Sequence, residues 1–147
     1  MKKFEFSLAR IRDYKNSLLD KEKNVLAGLR MEQKNIEDRL LELDRYEVEI
    51  NDELREKIKV GMSVGQIKMY DFKKNCIRDE RIALNNRLEF LNSSIELQQK
   101  RIAKLKQETQ SYDKLEEKQR EEYNEAVLKE QELVISEFIS QKLIREA

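Results

Sequence analysis

No proline, tryptophan or histidine occurs in these 147 residues, and there are only three glycines and one cysteine. Each shortage excludes something. Without proline the chain lacks the residue that most sharply ends a helix. Without histidine it lacks the commonest general base and metal ligand. A lone thiol, Cys76, can neither close an internal disulfide nor furnish a zinc site, and it suits a reducing compartment. No phosphate-cradling glycine loop is present, and no cofactor is expected. No run approaches the roughly 18 apolar residues of a membrane span. The opening Met1-Lys2-Lys3-Phe4-Glu5-Phe6 has basic residues but no apolar run behind them, so a secretory signal is not expected.

What is abundant is charge. Charged residues make up 41% of the chain, against roughly a quarter in ordinary domains. Thirty basic and thirty acidic side chains cancel, so there is no overall field to hold nucleic acid. The signs alternate along the sequence, as on solvated helix faces. Good helix formers dominate.

High charge without periodicity would mean disorder, but the apolar residues are periodic. Leu18, Val25, Leu29, Ile36, Leu40, Leu43, Ile50 and Leu54 are spaced by sums of three and four, which is one helical stripe. Phe4, Leu8 and Ile11 extend it toward the N-terminus. The step from Ile36 to Leu40 to Leu43 reads as one inserted position relative to a strict heptad. A second stripe runs Ile77, Leu84, Leu88, Leu91, Ile95, Ile102, Leu105, Tyr112, with Arg81, Gln98 and Thr109 in polar slots. Beyond Tyr112 the same register meets Glu116, Gln119, Tyr123, Ala126 and Glu130 and becomes polar. The segment from Leu128 to Ile139 is apolar on more than one side.

Between the stripes lies Val60-Gly61-Met62-Ser63-Val64-Gly65-Gln66. Gly61 suits the left-handed residue that stops a helix. Ser63 and Gln66 have the spacing of a capping box, and Gly65 sits between them. So short a connection makes neighbouring helices antiparallel. Gly28, inside the first stripe, reads as a tolerated helix glycine rather than a hinge.

The expected fold is therefore all-α: a single two-helix antiparallel coiled-coil hairpin with a longer second helix. The first helix spans about 4–60, roughly 85 Å at the α-helical rise, the turn about 61–63, and the second helix about 64–143, roughly 120 Å. Folding about Ser63 sets Ile36 near Phe90 and Phe4 near Glu122. Residues after about Tyr123 then have no partner within the chain, and their exposed Val, Ile and Phe mark either an interaction surface or a liability.

Catalysis is not expected. Paired carboxylates such as Glu116-Glu117 and Glu121-Glu122 lie on a solvated face, with no pocket to shift their pKa. Cys76 is expected to pack as a small hydrophobe beside Ile77. The basic run from Lys100 to Lys106 reads as a solvated face. From Lys2 to Lys15 the net charge is plus three, and from Asp113 to Glu132 it is minus four. In a hairpin the two stretches lie side by side and favour the antiparallel register.

The opening Phe4-Glu5-Phe6-Ser7-Leu8, with Ile11 and Tyr14-Lys15, resembles the start of the FliJ family of flagellar export proteins. Gly61-Met62-Ser63 resembles that family's mid-chain break. Leu115-Glu116-Glu117-Lys118, Tyr123, Glu130-Gln131 and Ser136-Glu137-Phe138 resemble its C-terminal half, with Ser136 standing where members often carry Asp. The resemblance implies a cytoplasmic protein, peripheral to the inner-membrane type III export apparatus. Such a protein inserts as a stalk into the ring of the export ATPase FliI, promotes its assembly and hydrolysis, contacts the export gate FlhA and escorts substrate chaperones.

Two sets of contact residues follow as expectations. The terminal end, with Leu128, Val134, Ile135 and Phe138, and with Phe4 and Phe6 beside them, is expected to meet the ATPase ring. Phe4 and Phe6 have a second reading, in which they close the seam against Tyr123 and Val127. Near the turn, Leu43, Tyr46, Ile50, Tyr70 and Ile77 match by type and position the family's gate-binding residues. Of these Leu43, Ile50 and Ile77 are also seam positions, while Tyr46 and Tyr70 are the expected surface contacts. The alternatives are the stalk protein of an injectisome secretion system, a prefoldin-like chaperone arm, for which the turn is too short, or a self-assembling coiled coil.

Overall fold

A computed structural model describes residues 2–146 of the chain. Two helices make up almost all of it: α1, Ala9–Val60, and α2, Val64–Glu146, of 52 and 83 residues. They pack against each other as an antiparallel hairpin whose second helix is the longer, and the described residues contain no strand.

The break between the helices is made as the sequence predicts. Gly61 is the one described residue with positive φ, at 103°, and its N–H donates to the Lys57 carbonyl at 3.0 Å. That left-handed residue halts α1 without the clash a side chain would bring. Two residues on, the Gln66 N–H donates to Ser63 Oγ and the Ser63 N–H donates to Gln66 Oε1, both at 3.2 Å. This reciprocal capping box satisfies two N–H groups that a helix start leaves orphaned.

At its other end α1 begins at Ala9 rather than near Phe4. The Ala9 N–H donates to the Phe6 carbonyl at 3.2 Å and the Arg12 N–H to that of Leu8 at 2.9 Å. Phe4 and Phe6 therefore precede the helix. At the far end α2 continues to Glu146, a few residues past the expected stop.

The chain divides into two compact units: Lys21–Arg101, and Met1–Asp20 with Ile102–Ala147. In the unit that holds the turn, the inward residues of α1 are Glu22, Leu26, Leu29, Gln33, Ile36, Leu40, Leu43, Glu47, Ile50 and Leu54, all buried or half-buried. Their gaps alternate four and three without interruption, so the expected skip at Leu40 does not exist. Gln33 and Glu47 occupy heptad slots that a trace through apolar residues alone passes over. Val25, placed on the stripe by that trace, is 45% exposed, and Leu26 takes its slot. On α2 the seam runs through Tyr70, Ile77, Arg81, Leu84, Leu88, Leu91, Ile95 and Gln98. Leu43, Ile50, Tyr70 and Ile77 form its principal cluster, with Leu54, Met62 and Leu84 packed on it.

Polar bridges fix the register in this unit. Gln33 Nε2 donates to Asn92 Oδ1 at 2.7 Å, and Arg81 Nη2 to Asp44 Oδ1 at 3.0 Å. Both pairs are centred on Met62–Ser63, the point about which the sequence expects the chain to fold. Ile36 and Leu91 are buried beside the first of them.

In the other unit the α1 slots are Leu8, Arg12, Lys15 and Leu19, and those of α2 run from Ile102 to Ala126. Leu19 and Ile102 are buried, whereas Ile11, expected on the stripe, is exposed and Arg12 fills the slot. Past Leu128 every described residue of α2 is exposed.

Candidate protein-binding surfaces

A groove in the Lys21–Arg101 unit is lined by Arg39, Leu43, Tyr46, Glu49, Ile50, Glu53, Phe72, Lys73, Cys76, Ile77 and Glu80. The heptad explains how it is built. Leu43, Ile50 and Ile77 are seam residues and form its floor, nearly closed to solvent. Tyr46 and Phe72 stand one step off the seam on α1 and α2 and are 54% and 68% exposed, so they form walls available to a partner. Cys76 is exposed on the groove rather than packed beside Ile77.

Tyr70 differs from its expected role as a surface contact. It is 5% exposed, because its ring joins the Leu43–Ile50–Ile77 cluster. Its hydroxyl donates to Glu53 Oε2 at 3.1 Å, and Lys57 and Lys73 stand over its faces at 5.2 and 5.3 Å. A tyrosine so placed buries an apolar body and satisfies its polar tip at the rim. Charge frames the same groove. Arg39 grips Glu80 with two bonds, of 2.7 and 3.2 Å, and also reaches Glu42 at 2.8 Å. The hydrogen bond to Arg39 holds the Glu80 carboxyl below its ordinary value, and the same contact raises the guanidinium.

The second surface is the end of α2 in the other unit. Leu128, Val134, Ile135 and Phe138 are all exposed, as are Leu133, Ile139, Leu143 and Ile144. Val127, Gln131, Val134 and Ile135 line a shallow groove on it together with Glu130. The seam register that passes through Glu116, Gln119, Tyr123 and Ala126 continues through Glu130, Leu133 and Glu137, so it carries one apolar residue between two acids. The apolar face of Val127, Leu128, Val134, Ile135, Phe138 and Ile139 lies roughly a third of a turn away around the helix. It is therefore not an extension of the seam that α1 covers.

Phe4 and Phe6, expected beside this surface, are occupied elsewhere. The Phe4 ring packs on Tyr123 at 5.5 Å between centroids, with the Arg120 guanidinium 4.7 Å above it. Phe6 is buried, with Arg12 5.4 Å over its ring. The Tyr123 hydroxyl donates to the Lys2 carbonyl. Both phenylalanines thus close the seam, the second of the two readings.

Gly61, Ser63 and Gln66 form the turn and the capping box, and Gly65 lies in the first turn of α2, where an added β-carbon would meet Ser63 Oγ at an ordinary contact distance of 3.9 Å. Phe72, one of the aromatics around the turn with Tyr46 and Tyr70, completes the first groove although it was not among the expected contacts. The signal that marks it is an aromatic outside the heptad slots of Tyr70, Lys74 and Ile77. No cluster of metal-ligating side chains, and no helix long and apolar enough to cross a membrane, is found among the described residues.

A family model described as Flagellar FliJ protein matches residues 4–147 of the chain. No curated protein and no solved structure gives a match.

Proposed function

This chain belongs to the Flagellar FliJ protein family, a component of flagellar protein export, and on that premise we infer that it acts as a stalk for the export ATPase. The observation that carries this reading is the unpartnered apolar face at the end of α2. Leu128, Val134, Ile135 and Phe138 present branched and aromatic side chains to water where no described residue covers them. That arrangement favours burial against another protein. In this reading the face seats in the ring of FliI, and the hairpin promotes ring assembly and hydrolysis. Phe4 and Phe6 contribute indirectly, by pinning the N-terminal segment to α2 next to that face.

The groove near the turn serves the export gate FlhA in the same reading. Tyr46 and Phe72 make the contact. Leu43, Ile50 and Ile77 hold the groove's floor, and Tyr70 supports it from beneath. Substrate chaperones are the third class of partner, and the protein acts in the cytoplasm at the periphery of the export apparatus.

The test is whether the purified protein raises the hydrolysis rate of its cognate FliI. Phe138→Asp places a charge in the apolar face and is expected to reduce that stimulation severalfold, with the helical signal unchanged. Full stimulation by this variant counts against the assignment. Tyr46→Ala with Phe72→Ala removes two exposed side chains and no seam residue. That pair is expected to lose capture by the cytoplasmic part of FlhA while keeping ATPase stimulation.

A further inference from the structure

We propose that residues 2–20 form a releasable strap on α2, held by charge and aromatic contacts rather than by an apolar seam, and that its release bares the α2 face it covers. The proposal is independent of the ATPase reading.

The seam slots carry the argument. Of the four that this segment offers, Leu8 and Leu19 are apolar, but the two between them are Arg12 and Lys15. Arg12 pairs with Glu116, and Lys15 Nζ lies 3.0 Å from Glu108 Oε2. Thr109, buried at the same level of α2, spends its hydroxyl on its own helix at the Lys106 carbonyl and offers none to the strap. By contrast, the seam of the Lys21–Arg101 unit has four mutually packed apolar side chains at its centre.

Ahead of the ionic section lies the aromatic clip of Phe4 on Tyr123. The clip and the ion pairs share members. Arg12 holds Glu116 and covers Phe6, and Arg120 lies 3.7 Å from Glu116 and covers Phe4. Loss of the Glu116 contacts loosens both arginines and so both rings. A segment with few buried apolar contacts and shared attachments opens locally and as one piece. Ion pairs at partly exposed sites are weakened by salt, whereas apolar burial is not. The seam near the turn also carries ion pairs, Arg39 with Glu80 and Arg81 with Asp44 and Glu47, but there they flank a packed apolar cluster, so the strap's attachment depends more on charge and responds more to salt. Release uncovers Leu105, Tyr112 and Tyr123 along the seam side of α2, a face separate from the apolar one at its end.

Hydrogen exchange on the full chain tests this, comparing about 10 mM with about 1 M salt, which shortens the screening length from about 30 to about 3 Å. Amides of 12–20 are expected to exchange about fivefold faster at high salt, while those of 36–54 hold their rates. Ordinary fraying of a helix end gives fast exchange with no response to salt, and that result overturns the proposal. So does an equal response in the two segments. A second variant, Lys15→Leu with Glu108→Leu, replaces one ionic slot by an apolar contact. It is expected to slow exchange in 12–20 and to reduce the salt response. An undiminished response in that variant also overturns the proposal.

Discussion

Leu43 and Leu91 are the large side chains most completely withdrawn from water, at 2% and 0% exposure. In a seam only two helices wide, most apolar residues keep a flank in solvent. The few that do not therefore carry a disproportionate share of the stability. Leu43→Ala is expected to destabilise the protein by about 2–3 kcal/mol, toward the low end for a buried leucine because one side of the seam can relax. Urea unfolding followed by circular dichroism measures it. Gly28 gives the opposite sign. It lies inside α1, and a β-carbon added there meets nothing within 4 Å. Gly28→Ala should stabilise the fold by about 1 kcal/mol, seen as a higher urea midpoint. A lower midpoint would point to a role that an ordinary helix position does not have.

Charge at single residues leaves a pH signature. Because Arg39 lowers the Glu80 pKa beneath its ordinary 4.5, Glu80 binds protons less readily when folded than when unfolded. Its stabilising effect is complete above pH about 4.5 and is lost as pH falls through the lowered value. Thermal melts of the native protein and of Glu80→Gln should therefore differ at neutral pH and converge as pH falls below the ordinary 4.5 and through the lowered value. Curves that stay parallel down to pH 3 would show that the Arg39–Glu80 pair adds nothing to stability.

The helices themselves show what a sequence displays and what it conceals. The break was legible down to individual bonds, because glycine at a positive φ and the Ser-x-x-Gln spacing are local chemistry. Ser63→Ala removes one side of the capping box and should cost about 1 kcal/mol, readable as a lower melting temperature. The start of α1 was less legible. Phe4 and Phe6 have the look of helix residues, but their rings are held by Tyr123, Arg120 and Arg12, contacts more than a hundred positions away in two of the three cases. The register of α1 was hidden for a different reason. Arg12, Lys15, Glu22, Gln33 and Glu47 all occupy seam slots, and each is satisfied by a partner on α2. A trace that steps only from one apolar residue to the next leaves the true heptad at Ile11 and Val25 and returns to it at Leu29. The exposure of Tyr46 and the burial of Tyr70 follow from the same heptad once it is drawn with its polar members.

At the scale of the whole molecule, the seam near the turn is chiefly aliphatic and the seam of the other unit is chiefly ionic and aromatic. The family match establishes flagellar export as the setting. Within it, the apolar end of α2 is a continuous stretch of exposed branched and aromatic side chains. A chain cut after Tyr123 keeps the turn, the main apolar cluster and the aromatic clip, and loses only helix that is largely exposed. The decisive measurement is the hydrolysis rate of the cognate export ATPase with this shortened chain beside the full one. Stimulation should disappear while the shortened chain retains a helical spectrum and cooperative unfolding; equal stimulation by the two chains would contradict the role assigned to the end of α2.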